Sequence, residues 1–104
     1  PHAVLISISA AEYIILQLSL NTYDMLGIKP QELLNQPLSS LLSEEEIIAI
    51  KQCLSEDFEC VNPLPIKLVR DSSTLHFDGI VHRHQAIIII ELEPTLPNRK
   101  ADIS

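Results

Sequence analysis

The chain has 104 residues, enough for one ordinary domain with one hydrophobic core. Hydrophobic residues make up 46% of it but aromatic residues only 4%, with no Trp, so the core must be built from Ile, Leu and Val, and platforms for stacking nucleic-acid bases are missing. Seven basic residues stand against fourteen acidic ones, a formal charge of -7, and the basic residues are scattered singly, which argues against nucleic acid as a partner.

The longest apolar runs, such as Ala86–Ile90, are far too short to span a membrane, and the start has no charged-then-apolar leader. The expectation is a cytoplasmic domain with no membrane contact. A beginning at Pro1-His2 rather than Met suggests a piece of a longer polypeptide. Cys53 and Cys60 are a weak disulfide signal, and neither sits in a CxxC or a Cys/His zinc spacing, so reduced thiols are expected.

In chain order, Val4, Ile6 and Ile8 alternate with Leu5, Ser7 and Ser9, which predicts a first strand. Ala10-Ala11-Glu12 makes the connection to a second, in which Ile14, Leu16, Leu18 and Leu20 alternate with Tyr13, Ile15, Gln17 and Ser19. Asn21 is placed to cap a short helix that Gly27 ends, and Asp24 favours its N-terminal dipole. A further helical turn starts at Pro30 and stops near Asn35, and Pro37 keeps that turn from fusing with the next helical segment. Such short helices are not stable alone, so Met25, Leu26, Leu33, Leu34, Leu38, Leu41 and Leu42 need a broad surface to pack on. Ser43-Glu44-Glu45-Glu46 reads as a capping box before a longer helix with Ile47, Ile50, Cys53 and Leu54 on one face, fraying by Ser55. A third strand over Leu64–Val69 is pushed to a sheet edge by Pro63 and Pro65. After a turn at Asp71-Ser72-Ser73, Leu75, Phe77 and Val81 mark one face of a fourth strand. His82 to Gln85 then turns the chain into a fifth, Ala86–Glu93.

Two strands, short helices, then three strands is the PAS order, an α+β fold with a five-stranded antiparallel sheet and short helices on one face. The run Leu16-Gln17-Leu18-Ser19-Leu20-Asn21-Thr22, Pro1-His2, Asn62-Pro63-Leu64, Phe77-Asp78-Gly79-Ile80-Val81-His82-Arg83 and Ile90-Glu91-Leu92-Glu93-Pro94 together resemble the N-terminal PAS domain of phytochromes and bacteriophytochromes. The resemblance spans almost the entire chain. It implies a PAS domain over 1–94 and a linker over 95–104 toward a following GAF-like domain. Ala3, Asn35 and Gln85 stand where the family usually has Gly. The resemblance also implies a noncatalytic sensory or scaffold domain of a photoreceptor, in the setting of a two-component sensor histidine kinase. A bilin, biliverdin or phycocyanobilin, is expected in the full-length protein. This fragment is expected to bind none covalently, because the family's attachment cysteine lies either upstream of the Pro-His pair or in the GAF domain, and neither Cys53 nor Cys60 matches.

The remaining candidate sites read as structural. Cys53 falls on an apolar helix face and is expected to be a buried thiol, whereas Cys60, in an acidic loop, is expected to be an inert exposed one. His82-x-His84 lacks a third metal ligand and reads as a polar turn. His76 and Asp78 share a strand face without a nucleophile, so no catalytic or metal residues are assigned. The feature that points to function is a surface. If Val4, Ile6, Ile8, Ile14, Leu16, Leu18, Phe77, Val81, Ile88, Ile90 and Leu92 face the helices, then Leu5, Ile15, Ile80, Ile87 and Ile89 emerge on the other side of the sheet. Polar Ser7, Gln17, Asp78 and Glu91 interrupt this set, and an apolar patch of that kind calls for a partner, here the adjoining GAF domain or a second copy. The alternatives are a generic PAS domain binding a small ligand or haem between helices and sheet, and a dimerisation module.

Overall fold

The computed structural model describes residues 3–56, 60 and 62–95. Strands β1 (Val4–Ser9), β2 (Ile15–Leu18), β3 (Leu64–Arg70), β4 (Ser73–His84) and β5 (Ile87–Pro94) form one antiparallel sheet in the order β2-β1-β5-β4-β3. Between β2 and β3 lie helices α1 (Thr22–Leu26), α2 (Pro30–Leu33) and α3 (Glu44–Glu56), with a 3-10 turn over Leu38–Ser40. The expected fold class is therefore the observed one. Most of the expected linker, 96–104, lies outside the described residues, as does the Pro1-His2 pair.

One face of the sheet carries the core. Val4, Ile6, Ile8, Phe77, Val81, Ile88, Ile90 and Leu92 are all buried against Leu26, Ile28, Leu33, Leu38, Leu42 and Ile50 from the helical segment. The short helices are held by this burial and by their ends. Gly27 sits at φ 75 and donates its N–H to the Tyr23 carbonyl, closing α1 as expected, and Pro30 opens α2. Asn35 (φ 66) and Gln85 (φ 58), where the resemblance leads one to expect Gly, both lie in the left-handed region that Gly adopts without strain.

The capping box of α3 forms in full. Glu46 N–H donates to Ser43 Oγ (3.3 Å), and Ser43 N–H donates to Glu46 Oε1 (3.1 Å). The other carboxylate oxygen, Glu46 Oε2, accepts the Lys67 N–H of β3 at 2.7 Å. β3 is an edge strand, as Pro63 and Pro65 predict, and Glu46 occupies a donor that the edge would otherwise leave open.

Four expectations need correction. Asn21 precedes α1, yet its side chain does not cap the helix. Its Oδ1 accepts from Ser19 Oγ (2.6 Å) and its Nδ2 donates to the Ala3 carbonyl (2.9 Å), while Ser19 Oγ accepts the Leu5 N–H (3.0 Å). Asn21 thus stitches the end of the β1–β2 hairpin to the start of β1. Second, the fourth strand runs on through His84, and the turn is the two residues Gln85-Ala86, because His82 and His84 pair with Ile89 and Ile87 of β5.

The third correction concerns β2. Ile8 pairs with Ile15 but Ser7 pairs with Gln17, so Leu16 is an extra residue, a β-bulge. The bulge reverses the alternation: Ile15 turns into the core at 0% exposure, and Leu16, expected inside, is 39% exposed. Finally, Cys53 and Cys60 are joined in a disulfide, with Cα atoms 5.5 Å apart, rather than being free thiols. Cys60 is buried and donates its N–H to the Val81 carbonyl at 3.0 Å, so the residue expected on a solvated loop is pinned to the sheet.

Candidate docking surface

The sheet face away from the helices is set by the same alternation that builds the core. In β1 it presents Leu5, Ser7 and Ser9; in β5, Ile87, Ile89, Glu91 and Glu93; in β4, His76, Asp78, Ile80, His82 and His84. Strand register places these in transverse rows, with neighbours in a row about 4.8 Å apart from strand to strand. Asp78 faces Glu93; Ile80 faces Glu91, which faces Leu5; His82 faces Ile89, which faces Ser7; His84 faces Ile87, which faces Ser9.

Of the five residues expected on this surface, the structure brings four together. Leu5 (46% exposed) and Ile80 (37%) are open to solvent, and Ile87 and Ile89 are half-buried between their strand neighbours. Ile15 does not belong to the surface, because the bulge turns it inward. Leu16 and Leu34 take part instead: they line an open groove of about 550 Å³ with Leu5, Ser7, Gln17 and Pro30 along the β2 side of the sheet. A one-residue bulge leaves no mark in the hydrophobic alternation, so period-two reading had no means of finding Leu16.

The polar members of the face are spread along it. His76 and Asp78 share the outer face as expected, and His76 gives its carbonyl to the Thr95 N–H at 3.0 Å. Among the described residues, no three His, Cys, Asp or Glu side chains are grouped to hold a metal ion. No helix among them is long and apolar enough to cross a membrane. On the helix side, the Tyr13 ring lies 5.0 Å beneath Lys51 Nζ, and burial raises its phenol above the usual pKa of 10.0, with the Arg83 charge acting in the opposite direction.

Comparison with known proteins places this geometry. The sequence model of the family described as "PAS fold" matches residues 1–95. Cyanobacterial phytochrome B of Nostoc sp. (strain PCC 7120) is 40% identical over 100 residues, which is 95% of this chain and 13% of that protein. Cyanobacterial phytochrome A of the same organism is 34% identical over 99 residues, again 13% of its length, so the chain spans about an eighth of these curated relatives.

Among solved structures, the chromophore-binding domain of a bacteriophytochrome from R. palustris superposes with a TM-score of 0.76 at 31% identity, covering 98% of this chain and 33% of that one. The photosensory core module of a Stigmatella aurantiaca phytochrome gives 0.77 at 33% identity, covering 91% and 19%. A variant of a PAS-GAF-PHY module from Stigmatella aurantiaca gives 0.78 at 32%. With the sheet order, the helical segment between β2 and β3 and these likenesses in agreement, the chain belongs to the PAS fold family, as a PAS domain of the kind found at the N-terminus of phytochromes.

Proposed function

We propose that this domain is a noncatalytic scaffold of a phytochrome-like photoreceptor, and that it packs the outer face of its sheet against an adjoining bilin-binding GAF domain of the same polypeptide. The observation that carries the reading is the apolar outer face itself. Leu5 and Ile80 stand open beside Ile87 and Ile89, on a domain whose solved relatives come from chromophore-binding and PAS-GAF-PHY modules. Exposed Leu5 and Ile80 in one row, followed by half-buried Ile89 and Ile87 in the next two, favour a covered surface over a solvated one.

The bilin, biliverdin or phycocyanobilin, belongs in this reading to the GAF domain, and output through a histidine kinase follows from the same family context. The small-ligand or haem alternative needs room between helices and sheet. The centre of that space is filled by Ile6, Ile8, Leu26, Leu38, Ile50 and Ile90, each no more than 1% exposed, and the opening of about 460 Å³ that remains between α3 and the β3 edge, lined by Glu45, Ala49, Ile66 and Phe77, lies at its margin. A packed core suits a scaffold.

The test is removal of residues 1–104 from the full polypeptide, followed by loading with bilin and recording of absorbance and photoconversion. The reading predicts altered bilin assembly or photoconversion. Spectra and switching identical to those of the intact protein would contradict it.

A further inference from the structure

The outer face is electrically lopsided. At one end Asp78 and Glu93 lie directly opposite each other across β4 and β5, with Glu91 in the next row between Ile80 and Leu5. Carboxylates facing each other across adjacent strands repel, so the sheet gives up stability to keep both. The apolar side chains Ile89 and Ile87 and the imidazoles of His82 and His84 lie toward the other end. Lys67 of β3, opposite His76 in the row next to Asp78, offsets only part of this acidic charge, and a docked surface has the remainder to meet.

We infer that the surface docking here, on the adjoining domain of the same polypeptide, carries Lys or Arg side chains beside aliphatic ones. The cations meet Asp78, Glu91 and Glu93 while the aliphatic groups cover Leu5, Ile80, Ile87 and Ile89. This rests on the proposed docking of the sheet face and specifies its chemistry. A second copy of the chain is a poorer occupant: each carries a formal charge of -7, and apposing two such surfaces adds repulsion to that already present within the sheet. A cationic surface instead turns the Asp78–Glu93 repulsion into attraction, so that the arrangement costs the free domain stability and strengthens the docked one.

Ser7, half-buried in the row of Ile89 and Gln17, is a suitable reporter position. In the full polypeptide bearing Ser7→Cys, the rate of alkylation by a small neutral maleimide is measured, with mass spectrometry to locate the label. Ile80→Glu breaks any docking on this face, and the paired isosteric change Asp78→Asn with Glu93→Gln removes only the charge. Circular dichroism confirms that both variants stay folded.

The inference predicts that Ile80→Glu speeds labelling about tenfold or more. The neutralised pair speeds it at least about threefold, as does raising salt to about 0.5 M, since pairs of this kind are worth little individually and are screened. The neutralised pair should also raise the thermal midpoint of the isolated domain, the opposite sign to its effect on docking. If Ile80→Glu speeds labelling but neutralisation and salt do not, the cationic partner is refuted and docking stands. If Ile80→Glu leaves the rate unchanged, docking on this face is refuted and the inference falls with it.

Discussion

Gly79 lies in the Phe77-Asp78-Gly79 segment, and the structure gives it a packing role that can be measured. A Cβ built at Gly79 would stand 2.9 Å from Ile66 Cγ1, with Ile66 Cδ1 and the Leu64 carbonyl oxygen both at 3.4 Å. Ile66 is 2% exposed and Cγ1 is next to its branch point, so the obstructing atom cannot swing aside as the end of a long side chain would. Overpacking of this kind costs about 1–3 kcal/mol. Alanine recovers about 0.5–1 kcal/mol over glycine in a strand interior. The net loss for Gly79→Ala is therefore about 1 kcal/mol, or about 4–8 °C in thermal midpoint for a domain of this size. Urea unfolding followed by far-ultraviolet circular dichroism suits a chain without Trp. The control is Ile66→Ala, which deletes Cγ1 at its own cost of about 2–5 kcal/mol and leaves room for the new methyl. In that background Gly79→Ala should be neutral or mildly stabilising, a coupling of about 1–3 kcal/mol. Equal costs in both backgrounds would refute the close-approach argument.

Glu46→Ala removes the acceptor of both the α3 capping box and the Lys67 amide, and should lower stability by about 1–2 kcal/mol. Glu46→Gln, which keeps an acceptor oxygen, should cost less, and hydrogen exchange at the Lys67 amide distinguishes the two. Reduction of the Cys53–Cys60 disulfide, which closes a short loop of sequence separation 7, should lower stability by about 2.5 kcal/mol on the chain-entropy account, read as a thermal midpoint with and without dithiothreitol. Unreduced protein should resist alkylation at both residues. Tyr13 gives a pH prediction. Its phenol is harder to ionise in the folded state than in the unfolded one, so the folded state holds its proton longer. The associated stability is whole below pH 10.0 and is lost as pH rises through the higher folded value. Tyr13→Phe should flatten that alkaline loss, measured by urea midpoints across the range.

Much of the architecture was legible because its signals are local. Gly27, Pro30, Asn35 and the Ser43–Glu46 box each act within a few residues, and the alternation of Val4, Ile6 and Ile8 against Leu5 and Ser7 fixes which side of β1 meets the helices. What the sequence hid depends on contacts between distant segments. Nothing near Asn21 announces that its amide reaches Ala3, and nothing near Glu46 that its second oxygen holds Lys67. The β2 bulge is the instructive failure for the surface, since one inserted residue exchanges Ile15 for Leu16 while leaving every neighbouring residue type plausible. The Cys53–Cys60 pairing was missed for a related reason: cysteine count and spacing say little about a bond that only the fold creates, by bringing the end of α3 back to the residue that pairs with the Val81 carbonyl.

Hydroxyl-radical footprinting of the full polypeptide, read residue by residue, measures directly whether the outer face of the sheet is covered. The account predicts that Leu5 and Ile80, 46% and 37% exposed in the isolated domain, are strongly protected, while Ile48, 46% exposed on α3 at the opposite side of the molecule, oxidises freely. Oxidation of Leu5 and Ile80 in proportion to those exposures, with no added protection, would contradict a docking role for this face.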